Sequence, residues 1–204
     1  DYYLLSHLRM EGKYIFKPLN SSFEKHEHVS FIFEDEELRY KDTRKFGRMY
    51  LLKKDELNKF LTSKLGYEPW DKNLTIAYLK ENLKNKTLPI KTLLLDQKLI
   101  AGIGNIYADE ILFESKINPK SYADRLSLND LKRIIENTKK VFEKALTYKG
   151  TYPNIDGNRG TFEKVLNVHM RKDEPCYACS SIIVKEKVGG RGTYYCPTCQ
   201  KIKK

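Results

Sequence analysis

Two matched cysteine pairs, Cys176-Tyr-Ala-Cys179 and Cys196-Pro-Thr-Cys199, stand sixteen residues apart near the end of the chain. Each CxxC turn can present two thiolates to one tetrahedral metal, so the four together satisfy Zn2+ and leave no open coordination position. Such a closed shell is structural rather than catalytic. Between the pairs, Ser181 to Val188 is β-rich, Gly189-Gly190 supplies a turn, and Thr193-Tyr194-Tyr195 reads as a returning strand. The expectation is a zinc-held β-hairpin. Two disulfides or a redox CxxC are the competing readings, but two even pairs with no other cysteine fit zinc best. Arg191, between two glycines at the hairpin turn, carries a planar fork suited to phosphate oxygens; a solvated turn arginine is the plain alternative.

The charge balance points the same way. The 204 residues carry a formal net charge of +11 and a pI near 9.3, which favours a polyanionic partner over a small neutral ligand. From Lys149 to Lys204 there are eleven Lys and Arg against five Asp and Glu, so the charge concentrates around the cysteine module. No segment approaches the roughly 18 apolar residues of a membrane span, and no signal-peptide pattern is visible. The chain reads as soluble, and its cysteine usage fits a reducing cytosol. Residue 1 is Asp, and Tyr2 to Leu8 already reads as the middle of a strand, so an N-terminal region is expected to be missing from these 204 residues.

The elements that must carry this module follow in order. Residues 2–9, 13–17, 28–34, 37–41 and 47–52 alternate as strands do, and predict an antiparallel, sandwich-like layer without its first strands. A helix is expected over 55–64, with Leu57, Phe60, Leu61 and Leu65 on one face and Gly66 as its C′ residue. Residues 67–72, with Pro69, read as a linker, and 74–83 as a second amphipathic helix. Pro89 opens a helix to about Gln97, Leu99-Ile-Ala-Gly-Ile-Gly104 forms a tight double turn, and another helix begins at Asn105. Ser127-x-x-Asp130 resembles a capping box for a long helix with Leu131, Ile134, Ile135, Phe142, Ala145 and Leu146 on its apolar stripe, closed by Gly150.

Gly102 and Gly104 leave the amides of the double turn uncovered, and Asn105 stands at a helix N-terminus where amides and dipole favour a phosphate. Glycines needed only for tight packing would look the same.

Gly102-Ile-Gly-Asn-Ile-Tyr-Ala-Asp-Glu110, then Gly190-Arg-Gly-Thr193 and the four cysteines, resemble the formamidopyrimidine-DNA glycosylase family. Leu5-Ser-His-Leu-Arg-Met-Glu-Gly12 and Asp42-Thr-Arg-Lys-Phe-Gly47 match that family's remaining signatures in order. The resemblance implies an α+β fold: a partial N-terminal antiparallel β-sandwich over 1–66, a helix–two-turns–helix bundle over 67–150, and a lesion loop with a zinc-finger β-hairpin over 151–204. It further implies a bacterial base-excision enzyme, cytoplasmic and monomeric, that binds damaged double-stranded DNA, carries one structural zinc on Cys176, Cys179, Cys196 and Cys199, and spans no membrane.

By the same resemblance Met10, Arg44 and Phe46 are the intercalating triad. His7, His26, Asn105, Lys185 and Arg191 contact phosphates, and Glu11 takes part in lesion recognition. The discontinuous triad separates the chain from the sister endonuclease VIII group. The family removes oxidised purines, 8-oxoguanine and formamidopyrimidines, and cuts the strand by β- and δ-elimination through a Schiff base on an N-terminal proline. No residue of the 204 matches that proline or its catalytic neighbours, so these residues alone are expected to be inactive; the alternative is a non-catalytic zinc-finger DNA-binding fragment. Two departures stand out. Tyr152-Pro-Asn154 follows Thr151 with fewer intervening residues than usual, and His169-Met170 replaces a Tyr-Gly pair, which would put His169 in place of a tyrosine-phosphate contact.

Overall fold

The structure, a computed structural model, describes residues 1–152, 155 and 157–203. The chain divides into two compact units, residues 1–61 with 151–160 and residues 62–150 with 161–204.

In the first unit the alternating segments form β1 (Tyr2–His7), β2 (Lys13–Pro18), β3 (Glu27–Ile32), β4 (Glu36–Lys41) and β5 (Arg48–Lys53). β1 pairs antiparallel with β5, from Tyr2 opposite Lys53 to His7 opposite Arg48. The other three make an antiparallel sheet in the order β2-β4-β3, with a register shift between Glu27 and Val29 that marks a bulge. Tyr14 ties the two sheets: its hydroxyl donates to Ser6 Oγ at 2.8 Å and its ring packs on Phe31 and Tyr40.

Among the described residues of this unit, Tyr40 is the one buried apolar side chain. What the unit buries instead is ionic. The Arg39 guanidinium, 1% exposed, lies 2.9 Å from Glu27 and 2.7 Å from Glu37 and also donates to the carbonyls of Ser21 and Ser22. Burial pushes the Glu27 carboxyl up, but the Glu24 amide and Arg39 overcome it and leave its pKa lowered. Glu37 is lowered by the Ser30 hydroxyl and then by Arg39.

α1 (Lys54–Lys64) starts in this unit and runs past its boundary at Leu61. Its Leu57, Phe60 and Leu61 are half-buried as the pattern predicts, and Phe60 packs on Tyr50 with ring centroids 5.2 Å apart; Leu65 is exposed. Gly66 is not a left-handed cap. It is needed for close approach, because a Cβ there would lie 2.4 Å from the Lys98 carbonyl oxygen. Nor are residues 67–72 a loose linker: the Tyr67 carbonyl accepts from the Ala101 amide at 3.0 Å, and the Tyr67 ring packs on Tyr78.

The second unit contains α2 (Ile76–Leu83), α3 (Ile90–Leu94), α4 (Asn105–Glu114), α5 (Leu128–Thr147), and the hairpin β6 (Val184–Val188) and β7 (Arg191–Tyr195). Thr75 caps α2, and Ser127 with Asp130 forms the full capping box of α5. α3 is shorter than expected because Gln97 leaves the helix to hold the double turn: its Oε1 accepts from Gly102 N at 2.7 Å and its Nε2 donates to Ile103 O at 2.9 Å. Gly102 has φ +88°, which a side chain would strain, whereas a Cβ on Gly104 would meet nothing within 4 Å. Backbone conformation therefore accounts for the first glycine, while neither conformation nor packing accounts for the second.

The core joins Leu79 and Leu83, Ile90 and Leu94, Ile111 and Leu112 to Leu131 and Ile134 of α5. Val141, rather than Phe142, completes the fully buried stripe, and Leu146 is 68% exposed. In the hairpin, Gly189 and Gly190 make the turn, and Arg191 is the first residue of β7 opposite Val188 rather than a turn residue.

This face assignment is open to a contrast. Ile134→Ala is expected to cost about 2–5 kcal/mol, and Leu146→Ala no more than about 0.5 kcal/mol, in urea denaturation. Equal costs would overturn the assignment.

Candidate nucleic-acid interface

The four cysteine sulfurs lie within 4.8 Å of one another. Contacts run across the two turns, 4.0 Å between Cys176 and Cys199 and 3.4 Å between Cys179 and Cys196. A tetrahedron with zinc–sulfur bonds of about 2.3 Å places its sulfurs about 3.8 Å apart, so the four sulfurs fit zinc. None of the four is bridged by a disulfide, and sulfurs 3.4 and 4.0 Å apart are too far for one, which sets the disulfide reading aside. The Ser181 hydroxyl and amide hold the Cys179 thiol down at about 6, whereas burial pushes Cys196 and Cys199 up. Zinc binds cysteines as thiolates, so loading such a site releases protons.

The hairpin is docked on α4 by buried charge. Asp109 and Lys91, both fully buried, lie 2.7 Å apart. Lys91 Nζ also donates to Thr193 Oγ1 at 2.8 Å and to Gly192 O at 3.1 Å. Burial lowers the Lys91 pKa, and Asp109 works against that. The second Asp109 oxygen is 2.6 Å from His169 Nδ1 and accepts from the Tyr194 amide at 3.2 Å. The neighbouring Glu110 accepts from the amides of Asn167, Val168 and His169 at 2.7, 2.9 and 3.0 Å. One turn of helix thus organises both strands of approach to the zinc module.

On this frame sit three of the residues expected to meet phosphate. Asn105, at the start of α4, donates from Nδ2 to Gly192 O at 3.0 Å, which sets it beside Arg191. Lys185 on β6 pairs with Tyr194 on β7, and its ammonium lies 5.1 Å from that ring. The His169 ring packs on the same Tyr194, 4.9 Å between centroids, and is 7% exposed, so its Nδ1 edge is committed to Asp109. Arg191 and Lys185 are exposed.

In the first unit Met10, Arg44 and Phe46 converge although 34 residues separate the first two. Arg44 Nη1 lies 3.3 Å from Met10 Sδ, and its guanidinium carbon sits 4.5 Å from the centre of the Phe46 ring. Met10 is 65% and Phe46 51% exposed. His7 ends β1, its Nδ1 accepting from the Arg9 amide at 3.0 Å. His26 has φ +73° and lends its carbonyl to the Asp42 amide at 2.9 Å. Glu11 is exposed in the turn beside Met10.

Comparison with known proteins gives these features a common frame. Three family models match along the chain: the formamidopyrimidine-DNA glycosylase N-terminal domain over residues 1–49, the formamidopyrimidine-DNA glycosylase H2TH domain over 65–155, and the zinc finger found in FPG and IleRS over 173–202. A Bacillus cereus formamidopyrimidine-DNA glycosylase is 47% identical over 206 residues, 98% of this chain and 75% of that protein. The chain belongs to the formamidopyrimidine-DNA glycosylase family. A Mycoplasma genitalium relative of the same name is 43% identical, with 98% and 72% coverage. The Lactococcus lactis Fpg in complex with abasic-site DNA superposes with a TM-score of 0.91 at 38% identity, over 98% of this chain and 76% of that one. A MutM bound to DNA containing carbocyclic 8-oxo-G matches equally well, at 39% identity.

Within this glycosylase family the four cysteines are a zinc finger, and the α+β architecture expected from the motifs is the one observed. Sequence reasoning did not find the buried set of Lys91, Asp109, Glu110 and His169. A signal existed: Asn105 to Glu114 does not segregate its polar and apolar residues onto separate faces, so Asp109 and Glu110 fall among apolar neighbours and need buried partners. The short element at 152–154 falls mostly outside the described residues. Among the described residues, no helix is long and apolar enough to cross a membrane.

Metal removal tests the docking. Chelation is expected to abolish amide protection in 184–195 while α5 retains its own, read by hydrogen exchange. Persistent protection at Tyr194 would show that the hairpin stands without metal.

Proposed function

We propose that the protein acts in base-excision repair as a bifunctional DNA glycosylase and AP lyase on oxidised purines, 8-oxoguanine and formamidopyrimidines, in double-stranded DNA. The observation that carries this is the contact between Met10, Arg44 and Phe46 on one exposed surface. An enzyme that takes a base out of the stack must fill the hole and wedge the neighbouring step. Met10 is a flexible apolar filler, Phe46 offers a flat face to a base step, and Arg44 supplies paired donors for the widowed cytosine. Held together before DNA arrives, the three act as a single insert.

Asn105, Lys185 and Arg191 suit the backbone of the flipped nucleotide. Arg191 gives a bidentate fork, Lys185 a mobile charge, and the start of α4 a favourable dipole beside a glycine whose Cβ position is open. His7 and His26 would hold phosphates from the first unit, and Glu11 would face the lesion. The zinc would fix the hairpin that presents Lys185 and Arg191, with no part in bond breaking.

The chemistry in this reading is attack of a secondary amine on C1′ of the damaged nucleoside. The base leaves, the sugar ring opens to a Schiff base, and β- then δ-elimination cuts the strand. The family resemblance puts that amine on an N-terminal proline that none of the 204 residues matches, and in this reading the 204 residues supply the DNA-binding surface. The protein works as a monomer in a bacterial cytoplasm, at the nucleoid.

Two measurements test this. Borohydride trapping with 8-oxoguanine opposite cytosine is expected to give no adduct with the 204 residues while a band shift shows lesion-dependent binding; an adduct would place a nucleophilic amine within them. Arg191→Ala is expected to weaken all duplexes alike and to reduce the slope of log affinity against log salt by about 1. An unchanged slope would remove Arg191 from the phosphate contacts.

A further inference from the structure

Two separate turns carry the wedge, residues 8–12 with Met10 and residues 42–47 with Arg44 and Phe46, and one buried pair touches both. Tyr40 stands on β4 with its hydroxyl donating to Asp42 Oδ2 at 2.8 Å. Asp42 is 1% exposed and accepts in addition from the Gly47 amide at 2.9 Å and the Arg44 amide at 3.0 Å. The Gly47 amide is the main reason the Asp42 carboxyl sits below its usual range, with burial opposing, and the Tyr40 hydroxyl and the amides of Arg44 and Lys45 assisting. Burial, then Asp42, pushes the Tyr40 phenol up to about 12, so it remains an O–H donor.

The same hydroxyl is the point at which the two turns meet. A Cβ on Gly47 would lie 1.7 Å from it, and one on Gly12 would lie 2.6 Å from it. Gly12 in turn donates to Leu8 O at 3.1 Å and closes the Met10 turn. The backbone of Asp42 reaches further: its amide donates to His26 O at 2.9 Å, and its carbonyl lies 2.8 Å from His28 Nε2.

We infer that Tyr40 and Asp42 are positioning residues for the wedge, a buried hydroxyl–carboxylate tie that holds the Met10 turn against the Arg44–Phe46 turn so that the insert is assembled before DNA binds. The inference rests on the reading of Met10, Arg44 and Phe46 as the inserted group. Asp42→Asn keeps size and leaves an amide where Oδ2 receives the Gly47 N–H and the Tyr40 O–H. Tyr40→Phe removes one bond and leaves the carboxylate with its amide donors. Neither residue is exposed enough to contact DNA itself, so any effect must pass through the turns.

The test uses a duplex with a tetrahydrofuran abasic site opposite cytosine and 2-aminopurine next to it, whose fluorescence rises when the step is wedged open. Asp42→Asn removes a negative charge, so affinity for intact duplex is expected to stay level or rise, while preference for the abasic duplex falls about tenfold and the fluorescence change at saturation shrinks. Tyr40→Phe is expected to lower that preference about threefold. A merely structural loss would reduce both affinities together. Circular dichroism reports folding, and if Asp42→Asn does not fold, Tyr40→Phe carries the decision. Folded variants with wild-type preference and fluorescence overturn the tie, while an unmodified protein that shows no preference for the abasic duplex overturns the wedge reading and the tie with it.

Discussion

Two adjacent carboxylates on one helical turn, Asp109 and Glu110, are the constraint on which the second unit depends. Both are buried in α4, and each is satisfied from outside its own helix, Asp109 by Lys91, His169 and the Tyr194 amide, Glu110 by three consecutive amides at 167–169. The apolar cluster under the zinc finger is small, with Val168, Cys176, Ile183 and Cys196 at its centre. A hairpin with so little apolar surface beneath it has its position set by charge. Removing one partner of a buried ion pair typically costs about 3–5 kcal/mol because the other charge is left stranded, which makes such a pair a sharp determinant of geometry even where its net contribution to stability is modest.

The first unit solves a similar problem with a different set. Arg39 takes Glu27, Glu37 and two carbonyls on its guanidinium and stacks over Phe23 at 4.0 Å, so the 20–27 segment is fastened to β4. Planarity matters here: five fixed N–H vectors can satisfy four oxygens at once, whereas an ammonium would leave some of them dry. Next along the chain, Tyr40 on β4 and Asp42 just past its end extend the fastening to the turns on which Met10, Arg44 and Phe46 stand. Strand β4 is thus the spine of this unit, and its alternation of Leu38 and Tyr40 with Arg39 and Lys41 hides the fact that Arg39 points inward.

That alternation explains what the sequence disclosed and what it withheld. Period-two patterning located all five strands of the first unit within two residues at each end, and the Ser127–Asp130 box fixed the start of α5, because these features depend on neighbours in sequence. The cysteine spacing was as legible, since four thiols at that spacing have few other uses. Lys91 was not legible. Its partners Asp109 and Thr193 lie 18 and 102 residues away, and nothing near it in the chain distinguishes it from a surface lysine. Gly66 failed for the opposite reason: the local pattern of a helix end was strong, but the residue serves the carbonyls of Lys98 and Leu99. The Met10–Arg44–Phe46 cluster came from motif resemblance, and residue types alone would have left each as an unremarkable surface side chain.

The placement of charge divides the molecule's work in a physically consequential way. Lys91 with Asp109, and Arg39 with Glu27 and Glu37, are buried and mutually compensated, so dissolved ions screen them little. Lys185 and Arg191 are exposed, and Asn105 at the head of α4, where Gly104 makes no side-chain capping bond, donates to Gly192 beside Arg191. Their field reaches into solvent within a Debye length of about 8 Å at physiological ionic strength and weakens as salt rises. The buried pairs that hold the scaffold are therefore far less sensitive to salt than the field of its exposed cations. Had the hairpin been docked by the exposed lysines and arginines themselves, the groups that hold the fold and the groups that hold the ligand would compete for the same counter-charges. Internal compensation of the buried cations leaves the surface excess of the +11 chain available to a polyanion.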